Sequence, residues 1–190
     1  MNKKRPPTPV KISPPELRPV GARALKSTID TLRPYIYGAR ILDLYAGLGR
    51  FGLEALAEEA AHVEFVERDK KSAKTLQEAL PKGAKAEVHC ADVIEFLKKA
   101  TGAPFDIIFA DPPFPLWEEE NFGHELVTAI KRVTSADAIL MIKAPSRIEI
   151  TVRVPEFLAW KQKEYGESNL LFFRRTESEE PGTPGALNPL

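Results

Sequence analysis

Ile41-Leu42-Asp43-Leu44-Tyr45-Ala46-Gly47-Leu48-Gly49-Arg50-Phe51-Gly52 is the stretch whose reading decides the fold. Its apolar opening reads as a short buried strand, its glycines as a tight turn, and the run from Arg50 to Glu59 as a helix. Gly47, Gly49 and Gly52 spell G-x-G-x-x-G, which lets a ligand approach the backbone and lets the helix pack close to the strand. On the N-terminal side, residues 26–32 finish a first helix that Pro34 stops. On the C-terminal side, strand 62–67, helix 70–80, strand 85–90, helix 93–99, strand 105–110, helix 119–132 and strand 136–143 follow. The segment from Phe157 to Arg175 reads as a strand, a Tyr-Gly turn and a second strand, a closing antiparallel hairpin. The alternation predicts an α/β chain: a doubly wound, mostly parallel sheet of seven strands with helices on both faces.

In such sheets ligands sit beyond the carboxyl ends of the strands. Asp43, Glu67, Asp92 and Asp111 all fall at those ends. Asp43 lies four residues before Gly47, where a carboxylate suits a cationic amino-acid tail and repels a pyrophosphate. S-adenosylmethionine has such a tail, and NAD has the pyrophosphate. Glu67 comes twenty positions after Gly47, the place from which ribose hydroxyls are held in either ligand. Asp92 is an acceptor for an adenine amino group and the N-cap of the next helix, and Val93 is placed to cover the ring.

The fourth strand ends in Asp111-Pro112-Pro113-Phe114. Two prolines remove two backbone donors and fix two φ angles. The result is a rigid turn of acceptors beside an aromatic ring, suited to holding an exocyclic amino group. Accepting both amino hydrogens favours a pyramidal nitrogen and frees its lone pair, and Phe114 is available to stack on the base. Lys143, at the end of the fifth strand, is within reach of a substrate but reads more simply as a surface lysine.

Asp43-Leu44-Tyr45-Ala46-Gly47, Gly52-Leu53-Glu54-Ala55-Leu56, Phe65-Val66-Glu67 and Asp111-Pro112-Pro113-Phe114, with the closing hairpin, resemble the RsmD-like family of bacterial 16S ribosomal RNA guanine-N2 methyltransferases. The resemblance covers roughly Leu17 to Arg175. It implies a Rossmann-like methyltransferase fold and a methyl-donor site at Asp43, Gly47, Gly49, Glu67 and Asp92, to which Tyr45, Arg68 and Val93 are added. It implies a target-base site at Asp111, Pro112, Pro113 and Phe114, with S-adenosylmethionine as cofactor and ribosomal RNA or a pre-ribosomal particle as partner. The family's Arg-Pro-Thr helix signal is matched by Arg18-Pro19 and Arg23, and with Lys26 these are the expected RNA contacts. The chain departs from the family pattern at Val20, Ala22, Leu48 and Phe114, and Met1–Glu16 lacks the family's opening hairpin.

Composition fits one enzyme domain. The chain has 190 residues, 43% of them hydrophobic, enough for a buried core. No run approaches the ~18 apolar residues of a membrane span. The single Cys90 makes no internal disulfide and reads as a small core residue in a reducing cytoplasm. His62, His89 and His124 are scattered without metal-ligand spacing, so no metal is expected. Formal net charge is zero, yet residues 1–29 hold seven basic residues against Glu16 alone, +6, leaving −6 on the remainder. Such an end suits phosphates. The expected organisation is a flexible basic, proline-rich leader 1–16, a methyltransferase domain 17–175 and a disordered tail 176–190, acting as a monomer. Three other readings use some of the same residues. A binding module without catalysis would keep the glycine turn and lose an acceptor, yet Asp111 is present. A DNA amino-methyltransferase needs a recognition region that no insertion here is long enough to supply. An NAD oxidoreductase needs a proton donor that the sequence does not offer.

Overall fold

A computed structural model of the protein describes residues 19–147 and 156–176. The leader 1–16, Arg18 and the tail beyond Thr176 lie outside the described residues.

Seven strands form one sheet: β1 (Arg40–Leu44), β2 (His62–Val66), β3 (Ala86–His89), β4 (Phe105–Ala110), β5 (Thr134–Pro145), β6 (Phe157–Tyr165) and β7 (Ser168–Arg175). Their order is β3-β2-β1-β4-β5-β7-β6. The first five are parallel, and β7 runs antiparallel between β5 and β6, as the sequence alternation and the Tyr-Gly turn predict. The central strands are apolar on both faces because helices cover both. In β1, Ile41, Leu42 and Leu44 are fully buried, as are Ile108 and Ala110 in β4.

Helices α1 (Pro19–Ile36), α2 (Arg50–Ala57) and α3 (Lys70–Ala79) cover one face, where Leu32, Phe51 and Leu76 join Ile41, Phe65 and Ile107 in a single core. Helices α4 (Val93–Lys99) and α5 (Phe122–Lys131) cover the other, where Leu97 and Leu126 pack with Leu42, Leu44 and Ile108. The chain leaves β1 toward one face and β4 toward the other. The switch between these adjacent strands opens a crevice at their carboxyl ends, the place where such sheets take ligands.

Three expectations are corrected. Pro34 does not stop the first helix, since α1 runs through it to Ile36. In the last turn a proline forfeits one hydrogen bond, and burial of Leu32 and Ile36 outweighs that loss. The chain turns instead at Gly38, with φ +72. The expected helix 119–132 is α5, which starts three residues late, entered through Asn121 in the left-handed region, and a 3-10 turn, Phe114–Glu118, precedes it. Trp117 fixes that break by packing edge-on against Phe122, ring centroids 5.2 Å apart. Cys90 is exposed, because β3 is the sheet's outer strand and the residue lies past its end.

Among the described residues no helix is long and apolar enough to cross a membrane, and no group of three or more His, Cys, Asp or Glu is placed to hold a metal ion.

Candidate active site

Four acids meet around the crevice, and the way each is held differs. Asp43, the penultimate residue of β1, is 1% exposed. Its Oδ2 accepts the Gly52 N–H at 3.0 Å, tying the strand to the first turn of α2. Its Oδ1 is buried and has no hydrogen-bond partner. Burial pushes the Asp43 carboxyl well above the usual carboxylate range, and the charges of Asp111 and Glu67 push the same way. Gly52 is required here by space: a Cβ on it would lie 2.2 Å from the Phe65 ring. Gly49 is required by conformation as well, with φ +69 and a Cβ position 2.3 Å from Leu76.

Glu67, just past β2, spans the glycine turn. Its Oε2 accepts the Gly47 N–H at 2.8 Å, and its Oε1 accepts the Asp69 N–H at 2.7 Å. Asp92 caps α4, its Oδ1 accepting from Ile94 N at 2.9 Å and Glu95 N at 3.2 Å. Tyr45 bridges strand and turn in the left-handed region, φ 58, which is strained for a bulky residue. Burial raises its phenol well above the ordinary value.

Asp111 is held otherwise. Both of its carboxylate oxygens lie 2.9 Å from the Lys143 ammonium. Burial pushes the Asp111 carboxyl up from its ordinary value, and Lys143 opposes that shift. The rest of the turn is stiff: Pro112 is buried, and Pro113 accepts the Leu116 N–H at 3.0 Å as the 3-10 turn begins.

A cavity of about 240 Å³ has Tyr45, Glu67, Arg68 and Val93 on one side and the Asp111–Phe114 turn with Lys143 on the other. A second, of about 260 Å³, lies between α1 and the ends of β1, β4 and β5, reached by Asp43, Phe109 and Met141. Tyr45, Asp111 and Lys143 line both. The donor-side and base-side residues singled out from sequence are thus brought together, with exceptions. Gly47, Gly49 and Asp92 line neither cavity, and Asp43 lines the second while Glu67, Arg68 and Val93 line the first. Arg23 and Lys26 are exposed on α1, and Lys26 is paired with Asp30 at 2.9 Å. Lys143 is not the surface lysine expected: its side chain is 27% exposed and committed to Asp111. Register carries the signal for it. Ala110 pairs with Ile142, so the next residues along β4 and β5 stand side by side.

The family model described as Conserved hypothetical protein 95 matches residues 7–174. The chain belongs to this family. Among curated relatives, the Ribosomal RNA small subunit methyltransferase D of Haemophilus influenzae is 41% identical over 103 residues, 52% of this chain and 53% of that protein. The chain therefore spans about half the length of the curated relatives it matches. The solved structure of the Escherichia coli protein yhhF is 26% identical, with a TM-score of 0.73 over 85% of this chain and 89% of that one. The N-methyltransferase NodS of Bradyrhizobium japonicum, at 12% identity and a TM-score of 0.71 over 84% and 98% of the two chains, shares the fold alone. The RsmD-like resemblance drawn from the motifs holds at the level of the family, and the fold is the Rossmann-like methyltransferase sheet with a closing hairpin.

Proposed function

We propose that this protein transfers a methyl group from S-adenosylmethionine to an exocyclic amino group of a base in ribosomal RNA, and that the group is guanine N2. The observation that carries the reading is one cavity with two walls: Glu67, Arg68 and Val93 facing the Asp111-Pro112-Pro113-Phe114 turn. Residues that suit a nucleoside and a turn that suits an amino group share one space. The relatives named for ribosomal RNA methylation support the substrate class. The D-P-P-F turn and the RsmD-like motifs support the amino group and guanine.

The donor fits the residues present. The buried Asp43 Oδ1 lacks a partner, and a cationic amino-acid tail supplies one. At Gly47 nothing lies within 4 Å of a Cβ position, so the turn is open on that side. Glu67 has a second lone pair on each oxygen for ribose hydroxyls. Val93 covers the adenine and Asp92 accepts its amino group. When bound, the donor supplies a methyl carbon made electrophilic by the sulfonium.

The chain's own residues do the rest by placement and electrostatics, and orientation alone is worth ~7–11 kcal/mol for well-aligned reactants. Asp111 and the Pro112 carbonyl accept the two amino hydrogens, directing the nitrogen lone pair at the methyl carbon and stabilising the positive charge that grows on nitrogen. Phe114 stacks on a base drawn out of its helix or loop. The N–C bond forms as the C–S bond breaks, and the amino nitrogen then sheds one proton. Arg18, Arg23 and Lys26 hold phosphates of the RNA.

Nucleoside mass spectrometry of ribosomal RNA from cells with and without this gene tests the reading. A methylguanosine lost with the gene and restored by it is expected. An unchanged nucleoside profile, or calorimetry showing tighter binding of NAD than of S-adenosylmethionine, overturns it.

A further inference from the structure

The geometry points to Lys143 as a positioning residue for methyl transfer, holding the Asp111 carboxylate in one orientation and in its charged form. This rests on the function proposed above and adds a residue that the turn motif does not contain. The two side chains come from neighbouring parallel strands, one residue past the Ala110–Ile142 pair. Their contact is symmetric, with both oxygens 2.9 Å from one ammonium. It is partly withdrawn from water, with side-chain exposures of 35% for Asp111 and 27% for Lys143. Both residues line both cavities, so the pair stands in the wall of the site rather than beside it.

Asp111 is an acceptor without a competing O–H donor, and a charged one, only while it is ionised. Burial works against that state by favouring the neutral acid, and Asp43 from the end of β1 and Glu67 from the end of β2 are both acidic. Tyr45, which lines both cavities, is a neutral phenol, while Arg68 and Arg50 are cations on the first and second cavity respectively. Lys143 is the cation in hydrogen-bond contact with the carboxylate. It occupies one lone pair on each oxygen and stops the carboxylate rotating about its Cβ–Cγ bond. The remaining lone pairs stay free for an amino group. The ammonium also repels positive charge growing on the target nitrogen, so its benefit lies in aligning and ionising Asp111 rather than in direct stabilisation.

The sign of the pH effect follows. Lys143 holds the Asp111 carboxyl down, so removing it raises that carboxyl and moves the acid limb of the rate profile to higher pH. The test is the pH dependence of kcat and kcat/KM for wild type, Lys143→Met and Lys143→Arg with ribosomal RNA as acceptor. Lys143→Met is expected to lower kcat roughly 10–100-fold at neutral pH, about the size of one charge-assisted hydrogen bond, with the acid limb moved up and the KM for donor unchanged. Lys143→Arg keeps the charge and restores most of the limb. A Lys143→Met enzyme with wild-type kcat and an unmoved limb overturns the inference while leaving the methyltransferase reading intact. If wild type transfers no methyl, that reading fails on its own. Carbon-13 NMR titration of the Asp111 carboxyl then decides about Lys143: a rise in the Met variant supports the inference and identical curves overturn it. Should Lys143→Met fold poorly, Lys143→Gln is measured in the same two ways.

Discussion

The two halves of the sheet anchor their acids by different means. On the β1–β3 half, Asp43, Glu67 and Asp92 accept backbone N–H groups, from Gly52, from Gly47 and Asp69, and from Ile94 and Glu95. On the β4–β5 half, Asp111 is gripped by a side chain, Lys143. Backbone donors are fixed by the fold, so the first three acids stabilise the turns and caps that define a pocket while retaining lone pairs for a ligand. A side-chain ammonium grips the carboxylate itself, and the remaining lone pairs of Asp111 are left for an arriving amino group. The difference matches the division of labour proposed here: a preformed donor site on one half, and on the other an acceptor group that engages a base drawn in from RNA.

The largest effect should come from the side-chain-anchored half. Asp111→Ala removes an acceptor for the target amino group and leaves the glycine turn whole. Methyl transfer should fall by about 10²–10³-fold, the scale of losing one preorganised polar contact. Donor affinity, measured by calorimetry, should hardly change. Near-normal turnover would make the D-P-P-F turn a structural stop and erase the contrast between the halves.

On the backbone-anchored half, fold and binding should fall together. Gly52→Ala places a Cβ within 3 Å of Phe65 and Val63. It should destabilise by about 1–3 kcal/mol in denaturant unfolding, as overpacking does, and loosen the Asp43 anchor. Asp43→Asn is more informative. Its amide oxygen keeps the Gly52 N–H, but the charge facing a cationic tail is gone, a loss of about 1.5–3 kcal/mol in donor binding. The stability of wild type should behave in the opposite sense. The Asp43 carboxyl is raised in the folded state, so the fold binds its proton more tightly than the unfolded chain does. That contribution is complete below the ordinary carboxylate range and is lost as pH climbs through the raised value. Unfolding curves across pH should therefore slope downward in wild type over that window and flatten in Asp43→Asn. Equal slopes would mean that the buried charge is neutralised by something other than a proton.

Much of this contrast was legible in the sequence, and some of it was not. Strand 105–110 and helix 93–99 match β4 and α4 because Asp111-Pro112 and Asp92 are local punctuation whose effect is felt within one or two residues. The four acids at strand ends were visible for the same reason. The first helix was cut short at Pro34 because its last turn depends on burial of Ile36 against the sheet, a tertiary contact. The break between the 3-10 turn and α5 depends on Trp117 meeting Phe122, also tertiary. Lys143 reads from sequence as a surface lysine because its pairing with Asp111 requires knowing that β4 and β5 are neighbours and in which register. Hydrophobic pattern alone does not supply that.

The smallest expected effect concerns Asp92, whose capping and ligand roles the same side chain combines. Its Oδ1 already accepts two backbone N–H groups at the start of α4, and the residue lines neither cavity. Asp92→Ala should cost about 1 kcal/mol of stability, typical of a lost N-cap, or about 2–4 °C in Tm for a domain of this size. Donor affinity should drop less than tenfold. Asp92→Asn separates the two roles. Asn caps as well as Asp, so the melting temperature should hold, but its amide nitrogen turns a donor toward the adenine amino group where Asp offers an acceptor. Calorimetry with S-adenosylhomocysteine on the Asn variant should therefore show weakened binding on an intact fold. If the Asn variant binds as wild type does, Asp92 is a cap alone, and the adenosine is held without it, the adenine by Val93 and the ribose by Glu67.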